Sequence, residues 1–181
     1  ITSFESERNI TLETKQREVV LLDTNIMALL GAAGTGKTTT AEVLLKKLTE
    51  LEGIKDEEIM FVAPTGCAAN RLKRVVKRKA STIHSFLRLG IETNKSILQD
   101  ENKELKNIRV LICDECSMIT VNLMYELLQH LSTDQLKIYF LGDTAQLLAI
   151  GFGKPFANML HYLPCVTLDV SKRASESSAI T

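Results

Sequence analysis

The sequence lacks an excess of charge of either sign. Its 181 residues contain 22 Lys plus Arg and 22 Asp plus Glu, so the formal net charge is zero. The total charge therefore gives no electrostatic argument for a nucleic-acid partner, and only the local distribution of charge bears on that question. A basic run covers 71–79, and an acidic run covers 50–58. At helical spacing the basic run indicates either a solvated helix face or a phosphate-binding stripe.

The sequence also lacks segments that would direct a protein into or across a membrane. No apolar run approaches transmembrane length, and no signal peptide is visible. We therefore expect a cytoplasmic protein with no membrane partner. The chain begins with Ile1 rather than Met, which suggests a fragment or a processed product.

Clusters of metal-binding residues are missing as well. Cys113 and Cys116 form a CxxC pair, but no second Cys or His pair follows at zinc-finger spacing. These two cysteines and Cys165 lie in or beside apolar, strand-like segments, which predicts buried, reduced thiols. His130 and His161 have no partner cluster, so we assign them no function.

What the sequence does contain is a regular alternation of short apolar runs with helical patterns. This layout predicts one domain with a mainly parallel sheet between two helical layers, a three-layer α/β/α fold. The predicted strands cover 26–30, 58–63, 108–113, 136–142 and 165–170, and the predicted helices cover 14–23, 37–51, 68–77, 81–87 (with Ser81 as N-cap) and 121–131. Because the strands are apolar throughout, we expect a sheet that is buried on both faces. Functional side chains should then collect at the carboxyl edge of the strands.

The run GAAGTGKT between the first predicted strand and its helix has the spacing of a phosphate-binding loop, G-x-x-x-x-G-K-[ST]. The backbone N–H groups of such a loop wrap the phosphates, and the Lys37 ammonium can reach the terminal phosphates. The Thr38 hydroxyl is a predicted Mg²⁺ ligand. The predicted cofactors are therefore ATP and Mg²⁺. The predicted nucleotide contacts are Gly31, Gly34, Thr35, Gly36, Lys37, Thr38 and Thr39.

Two further predicted strands end in polar residues that belong with this loop. Asp114 ends one of them and is a candidate Mg²⁺ ligand, and Glu115 beside it is a candidate base for the attacking water. Another strand delivers Asp143 and Gln146 to the same edge. A Gln amide both donates and accepts hydrogen bonds, so Gln146, if it lies near the γ-phosphate, could distinguish ATP from ADP.

The three motifs GAAGTGKT, DECS and GDTAQL, in this order and spacing, resemble the motor core of superfamily 1 DNA helicases of the RecD-like branch. The resemblance implies that 1–181 is a single RecA-like ATP-binding domain (P-loop NTPase, domain 1A), with the second motor domain absent. It also implies single-stranded DNA as a partner and 5′ to 3′ movement. The second RecA-like domain of the parent chain and subunits of a nuclease complex are the further partners that it implies.

The same resemblance extends to single residues outside the phosphate loop. TKQREVV resembles the family's glutamine motif, which implies that Gln16 reads the adenine edge. VAPTGCAANRL and ASTIHSFL resemble its DNA-contacting motifs, and TLDVSKRAS resembles its arginine motif, with Arg173 at the γ-phosphate. The implied DNA contacts are Pro64, Thr65, Ala68, Thr82 and His84. Segment 88–107 falls where this branch carries a small inserted hairpin.

Two other classes of protein remain open at this point. A P-loop phosphotransferase would need an acceptor pocket and an arginine-bearing lid, and neither is recognisable in the sequence. A catalytically decayed nucleic-acid-binding module would keep the fold without turnover. The presence of Lys37, Thr38, Asp114 and Glu115 argues against that decay.

Overall fold

A computed structural model describes residues 1–89, 107–130, 136–143, 145 and 153–169 of the protein. In these residues the α-helices are α1 (Thr2–Arg8), α2 (Thr14–Leu21), α3 (Lys37–Leu51), α4 (Gly66–Val76), α5 (Ile83–Leu87), α6 (Val121–His130) and α7 (Pro155–Met159). Short 3-10 turns lie at Asp56–Glu58 and Cys116–Met118. None of the described helices is long and apolar enough to cross a membrane.

The strands form one sheet of six, in the order β3-β2-β4-β5-β1-β6. They are β1 (Ile26–Gly31), β2 (Ile59–Ala63), β3 (Ala80–Thr82), β4 (Val110–Cys113), β5 (Lys137–Gly142) and β6 (Cys165–Leu168). All neighbouring pairs are parallel. Parallel neighbours need long crossovers, and the helices between the strands provide them.

Successive residues of each strand pack into two separate hydrophobic cores, one on each face of the sheet. Phe140 packs with residues of α5, α6 and α7, whereas its neighbour Leu141 packs with residues of α2, α3 and α4. Phe61 and Val62 divide in the same way. The period of two along each strand explains the division, and the predicted three-layer α/β/α fold with a buried parallel sheet is confirmed.

At the edges of the sheet the observed elements differ from the predicted ones. A sixth strand, β3, was not predicted, because its three polar or small residues carry no apolar signal. It takes up Ser81, so the predicted N-cap was wrong. The N-cap of α5 is Thr82, whose Oγ1 accepts a hydrogen bond from Ser85 N at 3.0 Å.

The edge strand β6 accounts for a second correction. Its residues alternate between exposed and buried, and Cys165 lies on the exposed side rather than in the core. Cys113 and Cys116 are buried as predicted, and all four cysteines are free. Most of the predicted hairpin at 88–107 lies outside the described residues.

Candidate nucleotide-binding site

The loops that carry the candidate site residues leave the sheet at one edge. β1 and β5 end in register, with Leu30 opposite Gly142, and Cys113 of β4 lies opposite Phe140 of β5. The segments that follow these three strands therefore begin side by side. They are the phosphate loop, the Asp114–Glu115 pair and the Asp143 turn.

The phosphate loop has a shape that only glycine permits at its key positions. Gly36 is the N-cap of α3 with φ at 87°, a left-handed conformation that is unfavourable for residues with a Cβ. A Cβ on Gly36 would lie 2.6 Å from Gln16 Nε2, and one on Gly31 would lie 2.3 Å from Thr35 Oγ1. The loop is therefore closely fitted to its neighbours.

Lys37 lies inside this loop. Its ammonium donates to the carbonyl oxygen of Gly31, and to that of Ala32 at 3.1 Å. The Lys37 ammonium and the backbone N–H groups of the glycine turn lie together at the start of a 15-residue helix. These are the hydrogen-bond donors that a polyphosphate requires. The residues present therefore fit a nucleotide, with Thr38 in the first turn of α3 as the hydroxyl available to Mg²⁺.

The Asp114 carboxylate is buried at the end of β4, with 5% of its surface exposed. Its Oδ1 accepts a hydrogen bond from Glu115 N at 2.9 Å. Burial raises the pKa of Asp114 above its usual value, and the hydrogen bond from Glu115 N, followed by the cations of Arg71 and Lys37, partly offsets that rise. Because β1 and β4 are the two neighbours of β5 and end at the same edge, the phosphate loop and the carboxylate belong to one site. A buried carboxylate oxygen there suits Mg²⁺.

Glu115 has an unusual backbone and a close cationic partner. Its φ of 54° and ψ of 38° are left-handed, which is uncommon outside glycine. Its Oε1 lies 2.5 Å from Arg71 Nη2, and the same guanidinium nitrogen lies 3.7 Å from Asp114 Oδ2. Sequence reasoning missed Arg71, because it treated 71–79 only as a basic run.

Asp143 joins the end of β5 to the turn after β4. Its N–H donates to Ser117 Oγ at 3.1 Å, and the Ser117 hydroxyl donates to the Asp143 carbonyl at 2.6 Å. Its carboxylate accepts from Ala145 N at 2.9 Å and so begins a turn. Asp143 therefore fixes the start of the segment that carries Gln146. Gln146 itself lies outside the described residues, as does Arg173.

A cavity of about 230 Å³ adjoins the phosphate loop on its α2 side. It is lined by residues of the α2 start, the phosphate loop and the end of β6: Glu13, Thr14, Lys15, Gln16, Thr35, Leu168 and Asp169. Lys15 and Asp169 form an ion pair between α2 and the segment after β6. The position of the cavity suits a base attached to phosphates in the loop.

Gln16 is buried beside this cavity, and its amide is already bonded. Its Oε1 accepts from Glu13 N at 2.9 Å, and its Nε2 donates to Thr40 Oγ1 at 3.2 Å and to Gly36 O at 3.4 Å. Gln16 thus ties α2 to the phosphate loop. Its contact with adenine stays a prediction, and such a contact would exchange at least one of these hydrogen bonds.

Four of the five predicted DNA-contacting residues, Pro64, Thr65, Thr82 and His84, are brought together at the far side of the same edge. Ala63 of β2 lies opposite Thr82 of β3, so Pro64 and Thr65 begin beside Thr82 and His84. Thr65 and Thr82 both act as N-caps, of α4 and α5, and His84 is exposed. The two helix starts are therefore adjacent, with Pro64, Thr65 and Thr82 partly exposed.

A separate metal centre does not occur in the described part of the chain, where no three His, Cys, Asp or Glu side chains are grouped to hold one. The Cys116 thiol donates to Cys113 O at 3.0 Å, and burial raises its pKa. A thiol in that state is a poor nucleophile and a poor metal ligand.

Taken together, the parallel sheet, the glycine loop with Lys37 and the Asp114–Glu115 pair define a P-loop NTPase domain of RecA-like architecture. Comparison with known proteins specifies it further. The AAA domain family matches residues 16–152. The chain therefore belongs to that family, and it is a RecA-like domain of the superfamily 1, RecD-like helicase type.

Individual relatives agree with this assignment. The chain is 32% identical over 154 residues to the RecBCD enzyme subunit RecD of Haemophilus influenzae, covering 74% of this chain and 23% of that protein. It is 32% identical over 151 residues to the ATP-dependent DNA helicase dda of Enterobacteria phage T4, covering 78% of this chain and 34% of that protein. Each of these relatives is thus much longer than the matched part.

A solved structure supports the fold alone. The crystal structure of the Pif1 helicase from Candida albicans superposes with a TM-score of 0.69 at 22% identity, over 91% of this chain and 41% of that one.

Proposed function

We propose that this chain is the first ATP-binding motor domain of an ATP-dependent DNA helicase or translocase. The observation that carries the proposal is that the sheet edge holds two groups of residues side by side. One group is Lys37 with the carboxylates Asp114 and Glu115, and the other is the pair of helix starts at Thr65 and Thr82.

In the proposed site, Lys37 faces the terminal phosphates, and Thr38 and Asp114 hold the Mg²⁺ of Mg-ATP. The metal supplies charge compensation on the phosphates. Glu115 then accepts the proton of the attacking water. The cavity beside Gln16 would take the base. Gln146 as γ-phosphate sensor and Arg173 at the γ-phosphate rest on the family motifs.

Single-stranded DNA would lie across the starts of α4 and α5. The N–H groups that begin a helix favour anions, so phosphates of the strand can bind at Pro64–Thr65 and at Thr82–His84. The relatives named above include an ATP-dependent DNA helicase and a subunit of the RecBCD enzyme. By analogy, the parent protein would place ATP between this domain and a second RecA-like domain. A nuclease complex is a further candidate partner.

The direct test is nucleotide binding and hydrolysis by the protein with Lys37→Ala as the matched variant. We expect Mg²⁺-dependent ATP binding by the wild type, and binding at least 10-fold weaker in Lys37→Ala, because loss of a charged contact of this kind removes roughly 1.5–3 kcal/mol. Equal binding by the two proteins would refute the assignment of the phosphate loop.

A further inference from the structure

Arg71 lies at the second turn of α4, and its side chain crosses to the turn after β4. The guanidinium Nη2 is 2.5 Å from Glu115 Oε1 and 3.7 Å from Asp114 Oδ2. It therefore faces both carboxylates of the nucleotide site. Its own side chain is 59% exposed, whereas that of Glu115 is 14% exposed.

The helix that carries Arg71, α4, is packed against one face of the sheet and capped at its start. Leu72 and Val76 of α4 are buried in the core on that face of the sheet. The start of α4 is fixed by Thr65, whose hydroxyl accepts from Ala68 N at 3.2 Å. The backbone position from which Arg71 reaches Glu115 is therefore fixed by the packing of α4.

Glu115 needs such a partner to hold one orientation. Its backbone is left-handed, a conformation that is unfavourable for a residue with a Cβ. The N–H bond to Asp114 fixes the backbone, and the Arg71 guanidinium is the contact that fixes the carboxylate. A planar, charged donor aligns a carboxylate better than an ammonium does.

We infer that Arg71 is a positioning residue for ATP hydrolysis, which holds the Glu115 carboxylate in line for the attacking water. This inference rests on the function proposed above. It assigns one member of the basic run to the nucleotide site rather than to a solvated face or a DNA-binding stripe. It also places α4, which begins beside Thr65, in contact with the proposed base.

The test compares Arg71→Ala and Arg71→Lys with Arg74→Ala, in the full-length protein and without DNA. Arg74 is a matched control, because it is an exposed arginine of the same helix whose Nε donates to Asn70 O. We expect Arg71→Ala to lower kcat about 10-fold, less than the roughly 10²–10⁴-fold that a general base supplies. KM, and the Kd for a fluorescent ATP analogue, should stay within about twofold, because substrate binding does not use Arg71.

Arg71→Lys should recover part of the lost kcat, and Arg74→Ala should match the wild type. Because Arg71 acts through Glu115, the double variant Arg71→Ala/Glu115→Gln should be as slow as Glu115→Gln alone. A readout independent of turnover is the side-chain carboxyl ¹³C resonance of Glu115 in the nucleotide-free protein, assigned with Glu115→Gln. The chemical shift of this resonance should change in Arg71→Ala and stay the same in Arg74→Ala.

Three results would overturn the inference. The first is a kcat for Arg71→Ala equal to that of Arg74→Ala, and the second is a kcat for Arg71→Ala above that of the wild type. The third is a loss of nucleotide binding in Arg71→Ala together with a lower unfolding midpoint, which would mean a structural role. A wild-type protein that hydrolyses no ATP would overturn the proposed function instead. Active wild-type protein with an unaffected Arg71→Ala variant would overturn only the inference about Arg71.

Discussion

Replacing Gly36 with alanine tests how tightly the phosphate loop is fitted to α2. The substitution adds a Cβ at φ 87°, where the left-handed conformation is unfavourable by roughly 1–2 kcal/mol. The same Cβ would lie 2.6 Å from Gln16 Nε2, so the buried Gln16 amide must move. Moving it breaks the bonds to Thr40 and Gly36, and a buried amide left unpaired adds roughly 1–3 kcal/mol.

Together these terms predict that Gly36→Ala lowers the free energy of unfolding by roughly 2–5 kcal/mol. At roughly 2–4 °C per kcal/mol for a chain of this size, the thermal midpoint should fall by roughly 4–20 °C. Gly53→Ala is the matched control, because Gly53 also has a positive φ, 66°, but a Cβ there meets no atom within 4 Å. In that variant the free energy of unfolding should fall only by the cost of the left-handed backbone, roughly 1–2 kcal/mol.

The assay is thermal and urea unfolding followed by circular dichroism, without nucleotide. In a Gln16→Ala background the clash is removed, so the effect of Gly36→Ala should shrink to that of Gly53→Ala. If Gly36→Ala is no more destabilising than Gly53→Ala in the wild-type background, the contact between the loop and Gln16 is not what holds α2 against it.

Two further predictions concern Asp114 and the cysteines. Burial raises the pKa of Asp114 in the folded chain, so its ionisation lowers the free energy of unfolding as the pH rises through the interval between its unfolded and folded pKa values. Asp114→Asn should therefore raise the free energy of unfolding above that interval, as measured by urea unfolding without Mg²⁺. Equal stability of the two proteins at pH 7 would contradict this prediction. Of the four thiols, the exposed Cys67 and Cys165 should react with a thiol reagent in the native protein, and the two buried ones only on unfolding. Single-stranded DNA should slow labelling of Cys67, which follows Thr65 at the start of α4, and leave Cys165 at the start of β6 unchanged; equal slowing of both would contradict the proposed DNA surface.

Much of the fold could be predicted because its signals are local and strong. The apolar run Ile26–Leu30 followed by a glycine loop predicted both β1 and the start of α3 at Lys37, and both are confirmed. The edge strand β3 was not predicted, because a three-residue strand is defined by its pairing with β2 rather than by its own residues. The exposure of Cys165 has the same origin, since only the sheet order shows that β6 is an edge strand.

In the candidate site, sequence motifs located residues but not their partners. The loop motif predicted Lys37, and the apolar strand that precedes Asp114 predicted that carboxylate. The sheet order brings the ends of both strands to one edge. The Arg71–Glu115 pair joins residues 44 positions apart, and no local pattern specifies a contact of that separation. The bond between Ser117 and Asp143 is of the same kind.

The central claim, that this is an ATP-driven motor domain that responds to DNA, is tested most directly by steady-state ATP hydrolysis. The full-length protein should be measured with and without single-stranded DNA, beside Lys37→Ala and Glu115→Gln. We predict Mg²⁺-dependent turnover that single-stranded DNA stimulates, nucleotide binding at least about 10-fold weaker in Lys37→Ala, and ATP binding without turnover in Glu115→Gln. ATP binding by the wild type with no hydrolysis in either condition would contradict the account.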